Sequence, residues 1–310
     1  MFDMNNINIR LLAINKVLFV VAVLLADPFH FFESTYESSP KLLKIKSKAD
    51  IKEVKISGTE NGTINLNKSD SGWAVSMEQQ KQEYPAVGNR IDAALDTILD
   101  MRKFYEVTSN KDKHVEFQVN DTNLKLELTA NNKTYTVYIG KQGASYNTSL
   151  VRIKDDSTVY SVKGNLRSDW NQNLDYFRVK KLFQISKENI QEVTATGAKN
   201  FHITSAPNNG WNLILGGITM PSNTVRINRL MDDISMLEGT EFYYGPLGGF
   251  FYGNIKIILK SNTEFNLKVQ KSGSEYLVQT EQNPYWQKIP EYRINSIFPQ
   301  LSELSAAGNK

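Results

Sequence analysis

Apolar and polar residues alternate along most of this chain, and in two places the spacing changes to that of a helix. "IKEVKISG" (Ile51 to Gly58) and "TINLN" (Thr63 to Asn67) predict strands, because every second residue faces one side of a pleated sheet. Asn61-Gly62 between them is a strong hairpin signal. "KLLKIKSK" from Lys41 also alternates, with Leu43 and Ile45 opposed to Lys44, Lys46 and Lys48, and a third short strand follows at Trp73. Beyond Tyr84-Pro85, Ile91, Leu95, Ile98 and Leu99 fall on one helical stripe, with Asp92, Asp96 and Asp100 on another. Alternation returns at Leu124, Leu126 and Leu128, then at Tyr135, Val137 and Ile139. "SLVRI" and "TVYSV" complete an antiparallel meander.

The same order of features is then repeated. "IQEVTATG" (Ile190 to Gly197) answers Ile51 to Gly58, and Gly210-Trp211 answers Gly72-Trp73. Asn228-Arg229-Leu230 aligns with Asn89-Arg90-Ile91, which places Ile234 and Leu237 on the stripe positions of Leu95 and Ile98. Ile255, Ile257 and Leu259, then Phe265, Leu267 and Val269, repeat the meander. "YLVQT" and "YWQKI" stand where "SLVRI" and "TVYSV" stood.

A sheet with one apolar face and a helix with one apolar stripe must bury those surfaces against each other to offset chain entropy. The expected fold is therefore α+β, a tandem duplication of a unit made of an antiparallel meander and one main amphipathic helix. Residues 41–184 form the first repeat and 185–310 the second, preceded by a signal or anchor segment and linker over 1–40. Trp73 and Trp211 are the expected core anchors of the repeats. Arg90 and Arg229 sit at helix starts, where a cation opposes the dipole, so each is expected to have a carboxylate partner.

Place is suggested by the N-terminus. Arg10 and Lys16 precede the apolar run Val17 to Ala26, "VLFVVAVLLA", in the manner of an export signal or an uncleaved anchor. Lys41, Lys44, Lys46 and Lys48 lie beyond it, against the usual charge bias, although long domains translocate regardless of such charges. Those lysines suit either a solvated strand face or contact with anionic lipid.

Charge and composition narrow the chemistry. With 36 basic and 33 acidic residues the net charge is +3, too even to gather nucleic acid over the whole surface. The chain has no cysteine, which removes disulfides, thiolate metal sites and a cysteine nucleophile. His30, His114 and His202 lack zinc-ligand spacing, and neither a phosphate-binding G-x-x-x-x-G-K-[ST] loop nor a G-x-S-x-G elbow occurs. No cofactor or catalytic residue is expected. The stacked Asp92, Asp96 and Asp100 would suit a divalent cation, but a solvated acidic face is the commoner meaning of such a stripe.

One stretch differs between the copies. "EFYYGPLGGFFYG" (Glu241 to Gly253) gathers Phe242, Tyr243, Tyr244, Phe250, Phe251 and Tyr252 among glycines, where the first copy has the polar "TSNKDKH". Two readings fit it: a partner surface, since aromatics bring contact area at little entropic cost, or core packed between the copies.

The whole order, an apolar segment, strands ending in "GW", a Pro before a helix, a meander and then "NLDYFRVKKLFQIS", resembles the domain-of-unknown-function 4340 family. That resemblance implies an extracytoplasmic, membrane-anchored protein found with gliding-motility-type and related ABC exporters, with no established enzymatic activity. The expected function is a non-catalytic accessory or binding subunit at the outer face of the inner membrane, its partners a permease or companion subunits. An exported hydrolase or carbohydrate-binding protein using surface carboxylates is the alternative.

Overall fold

The computed structural model describes residues 14–19, 38–80, 82–103 and 105–306. It divides into two compact units, Met1–Arg178 and Val179–Lys310. Residues 14–19 are helical, and the rest of the Val17 to Ala26 run lies outside the described residues. Among the described residues, no helix is long and apolar enough to cross a membrane.

The first unit contains β1 (Ile51–Ser57), β2 (Ile64–Ser69), β3 (Gly72–Met77) and β4 (Glu83–Pro85), followed by helix α1 (Gly88–Leu99). Next come β5 (Tyr105–Thr108), β6 (Lys125–Ala130), β7 (Lys133–Gln142), β8 (Thr148–Ile153) and β9 (Val159–Lys163), with short helices α2 (Leu166–Trp170) and α3 (Leu174–Phe177) closing the unit. The strands pair in the order β4-β3-β2-β1-β6-β7-β8-β9-β5. α1 thus carries the chain from one edge of the sheet to the other, and its apolar stripe of Ile91, Ala94, Leu95, Ile98 and Leu99 is buried on the way.

The second unit contains β10 (Ile190–Gly197), β11 (Phe201–Ala206), β12 (Gly210–Leu215), β13 (Ile218–Met220) and helix α4 (Thr224–Ser235). It continues with β14 (Glu241–Phe242), β15 (Phe250–Leu259), β16 (Glu264–Ser272), β17 (Glu275–Thr280) and β18 (Gln287–Ile289), then α5 (Glu291–Ile297) and α6 (Leu301–Leu304). Its order, β13-β12-β11-β10-β15-β16-β17-β18-β14, matches the first strand for strand. Even the irregularities coincide, since β1 slips register between Ile51 and Glu53 against β6, and β10 between Ile190 and Glu192 against β15. Gly58, just after β1, and Gly197, the last residue of β10, both have positive φ, +74° and +116°, and a Cβ there would run into the backbone of Asn123 and of Tyr252 respectively.

Three expectations change at this level. Lys41 to Lys48 is not a strand: it makes one bridge, Lys41 to Arg102, and ends in a 3-10 turn at Lys48–Asp50. Its alternation still reports burial correctly, with Leu43 and Ile45 inside, because extended chain alternates whether or not a neighbour supplies a ladder. The chain also changes unit after Arg178, and Leu182 and Phe183 belong to the second core. Finally, the helices correspond at three residues' remove from the Asn-Arg alignment. The buried set Ile227, Leu230, Met231, Ile234 of α4 matches Ile91, Ala94, Leu95, Ile98 of α1, so the partner of Arg90 is Arg226 and not Arg229. A slip of three residues turns a helix by only about 60° and leaves an apolar stripe nearly in phase, so the pattern alone could not detect it.

Candidate functional site

The same fastenings hold the helix in each unit. Trp73 Nε1 donates to Asp92 Oδ1 at 3.1 Å, and Trp211 Nε1 donates to Asn228 Oδ1 at 2.8 Å. Lys48 meets Asp96 at 2.6 Å and Lys187 meets Asp232 at 2.6 Å, each lysine standing in the 3-10 turn before the first strand. The carboxylate hydrogen bond raises the pKa of both ammonium groups. Arg90 donates to the Tyr176 carbonyl and lies 4.4 Å over the Tyr176 ring, so its partner is a carbonyl and an aromatic face instead of the expected carboxylate. Arg226 has the carboxylate: its Nε donates to Glu303 at 3.2 Å and its Nη2 to the Ser296 carbonyl at 3.2 Å. Arg229 is exposed and makes no side-chain hydrogen bond or ion pair among the described residues.

These contacts account for the acidic stripe. Asp92 accepts from Trp73, Asp96 holds Lys48, and Asp100 holds Lys41 at 3.2 Å and Arg102 at 3.4 Å. Among the described residues no group of His, Asp or Glu is arranged to hold a metal ion. His114 Nε2 lies 2.8 Å from the Ser157 carbonyl and His202 Nε2 lies 3.0 Å from Glu192, each occupied locally.

Beside α1, the Lys41 to Lys48 segment and the turn after β9 border an open cleft of about 780 Å³. Ile45 and Leu99 contribute its apolar surface, and Lys41, Lys46, Lys48, Lys163, Asp96, Asp100, Ser47, Thr97 and Asn147 its polar surface. Gly164 at φ +104° brings the turn close to α1, since a Cβ there would press on Thr97. Sequence reasoning named the lysines and aspartates on separate elements but not the cleft, nor Asn147 and Lys163. The available signal was Lys46, the extra residue when "KLLKIKSKADI" is set against "KLFQISKENI".

The aromatic stretch divides into an inner and an outer set. Phe242 is buried, edge-on to Tyr285 with centroids 6.4 Å apart. Tyr252 packs edge-on against Tyr276 at 5.1 Å and Phe298 at 5.5 Å, and burial pushes its phenol pKa up. Phe242 is therefore a core residue and not a partner contact, and Tyr252 packs half-buried against the second unit's core. Tyr243 is half-buried, its hydroxyl donating to the Pro246 carbonyl at 2.9 Å. Tyr244, Phe250 and Phe251 stand in solvent at 70%, 61% and 59% exposure, with Leu247 at 53%. Phe250 and Phe251 are neighbours in an extended strand and so point to opposite faces. They pair only with Lys271 and Gln270 of β16, because β10 ends opposite Gly253. The result is a two-faced apolar arm in which β15 runs on beyond the end of β10, still paired to β16.

The match to known proteins covers the middle of the chain. A model of the family described as Domain of unknown function (DUF4340) matches residues 78–246, from the end of β3, across the change of unit, into the connection that follows β14. No curated protein and no solved structure matches the chain. Since the family match takes in more than half of the residues and both α1 and α4, the chain belongs to the DUF4340 family.

Proposed function

We propose that this chain is a non-catalytic binding subunit, held at a membrane with its folded units on the extracytoplasmic side and docking on a membrane component of an ABC-type transport system. The arm carries the reading. Four large apolar side chains, Tyr244, Leu247, Phe250 and Phe251, are left in water on one short segment, a larger exposed apolar set than Leu215, Ile218 and Met220 form on the β12–β13 hairpin. The arginine- and lysine-led apolar run from Val17 supports the membrane location, and the resemblance described above supports the transport partner. The two units are, in this reading, products of one tandem duplication. A hydrolase would need convergent carboxylates, whereas the stacked carboxylates of α1 are engaged by Trp73, Lys48 and Lys41.

The test is co-purification of the detergent-solubilised full chain. A permease or companion subunit should accompany it, and Phe250→Ser with Phe251→Ser should release that partner without lowering thermal stability. Recovery of no membrane-transport component defeats the proposal; a drop in stability in place of lost association returns the arm to the core.

A further inference from the structure

The cleft of the first unit carries more positive charge than its own carboxylates match. Lys41, Lys46, Lys48 and Lys163 line it together with only Asp96 and Asp100. Lys48 and Lys41 take those two carboxylates, and Arg102 adds a further cation beside Asp100. Lys46 has no ion-pair partner among the described residues, and the exposed Asn147 side chain makes no hydrogen bond among them either. Ser47 Oγ accepts from the Ala49 N–H at 3.1 Å, which leaves its hydroxyl proton to donate. The unspent groups of the cleft, the Lys46 ammonium, the Asn147 amide and the Ser47 hydroxyl, are thus a cation and donors, the complement of a ligand made of negatively charged acceptors. Its volume of about 780 Å³ lies within the range of small-molecule sites.

The second unit provides an internal control. It keeps the Lys187–Asp232 fastening, so that pair belongs to the scaffold. It lacks a residue at the Lys46 position, carries Met236 where α1 is followed by Asp100, and Pro290 where β9 ends in Lys163. The basic character is therefore an addition to the first unit and not a requirement of the fold.

We propose that the cleft between the Lys41 to Lys48 segment and α1 binds a phosphate group, either free or in the headgroup of an anionic phospholipid. Lys46 and Asn147 contact its oxygens, with the Ser47 hydroxyl closing the site.

The experiment titrates the full chain in neutral detergent with inorganic pyrophosphate by calorimetry, and separately measures its binding of a phosphatidylglycerol probe in phosphatidylcholine nanodiscs. Saturable binding in the first arm assigns free phosphate, and binding confined to the second assigns the lipid headgroup. Lys46→Ala should weaken whichever is observed about fivefold, and Asn147→Ala should weaken it further, both with unchanged unfolding temperature. Lys268→Ala, on an exposed strand position of the second unit, should have no effect. Absence of saturable binding in both arms, or equal losses for Lys46→Ala and Lys268→Ala, overturns the assignment.

Discussion

The two units share one strand order yet finish differently at the same point of the chain. In the first, residues 109–124 between β5 and β6 fold back over the sheet. Val119 is buried with Tyr138, Leu150 and Val159, Phe117 packs beside them, and the Arg152 guanidinium donates to the Val119 carbonyl at 2.9 Å. Tyr138 donates to Asp121 at 2.5 Å, and Gly140 makes room, since a Cβ there would strike the Phe117 carbonyl. As a result Val137, Tyr138 and Ile139 are all buried, although consecutive strand residues face opposite sides. The shorter connection 243–249 of the second unit makes no such cover, and its Tyr244 and Leu247 stay exposed together with Phe250 and Phe251 at the start of β15. A repeated scaffold therefore does not repeat its surface: the connection that insulates one sheet presents aromatics on the other.

The largest effect expected from this contrast is at the tryptophans. Trp73 is buried and Trp211 is half-buried, so Trp73→Ala should cost about 3–5 kcal/mol in the first unit and Trp211→Ala distinctly less in the second. Urea unfolding resolved by hydrogen exchange in each unit measures both. Equal losses would mean that the first unit is no more tightly closed.

A smaller difference separates the two connections themselves. Val119→Ala removes buried methyl groups beneath the folded-back segment and should destabilise the first unit by about 2 kcal/mol. Phe250→Ser combined with Phe251→Ser should change the second by no more than about 0.5 kcal/mol, as exposed positions do. Comparable losses at the two places would erase the distinction between cover and arm.

The smallest effect is on pH. The Gln300 N–H and then the Arg226 guanidinium hold the Glu303 carboxyl below its ordinary value of 4.5. A depressed folded value means that the stabilisation is complete above about pH 4.5 and is lost as pH falls through the folded value. The matching link in the first unit, Arg90 to the Tyr176 carbonyl, has no proton to gain. Acid should therefore loosen α6 before α3, seen as earlier loss of amide protection at Leu304 than at Phe177. Simultaneous loss would show that Glu303 does not hold α6.

Much of the fold was legible because it rests on periodicities. Alternation located β1, β6, β10 and β15, a 3.6-residue stripe located α1 and α4, and their repeated order announced two similar units. Edge strands β4, β5, β13 and β14 left little signal, for two to four residues cannot establish a period and their pairing is with distant chain.

The site was legible only in parts. Composition marked the aromatic stretch, but it could not say that Phe242 turns inward while Phe250 and Phe251 stay exposed, because that depends on β14 pairing with β18 and on where β10 stops relative to β15. Likewise, the lysines after Pro40 and the aspartates of α1 were each visible as charges, and their pairing was not. What the sequence by itself determined was local: which segments alternate, which spiral, and that the series occurs twice. The tertiary structure decided which charges neutralise one another and which oily residues remain in water, since both follow from distances between residues far apart in the chain.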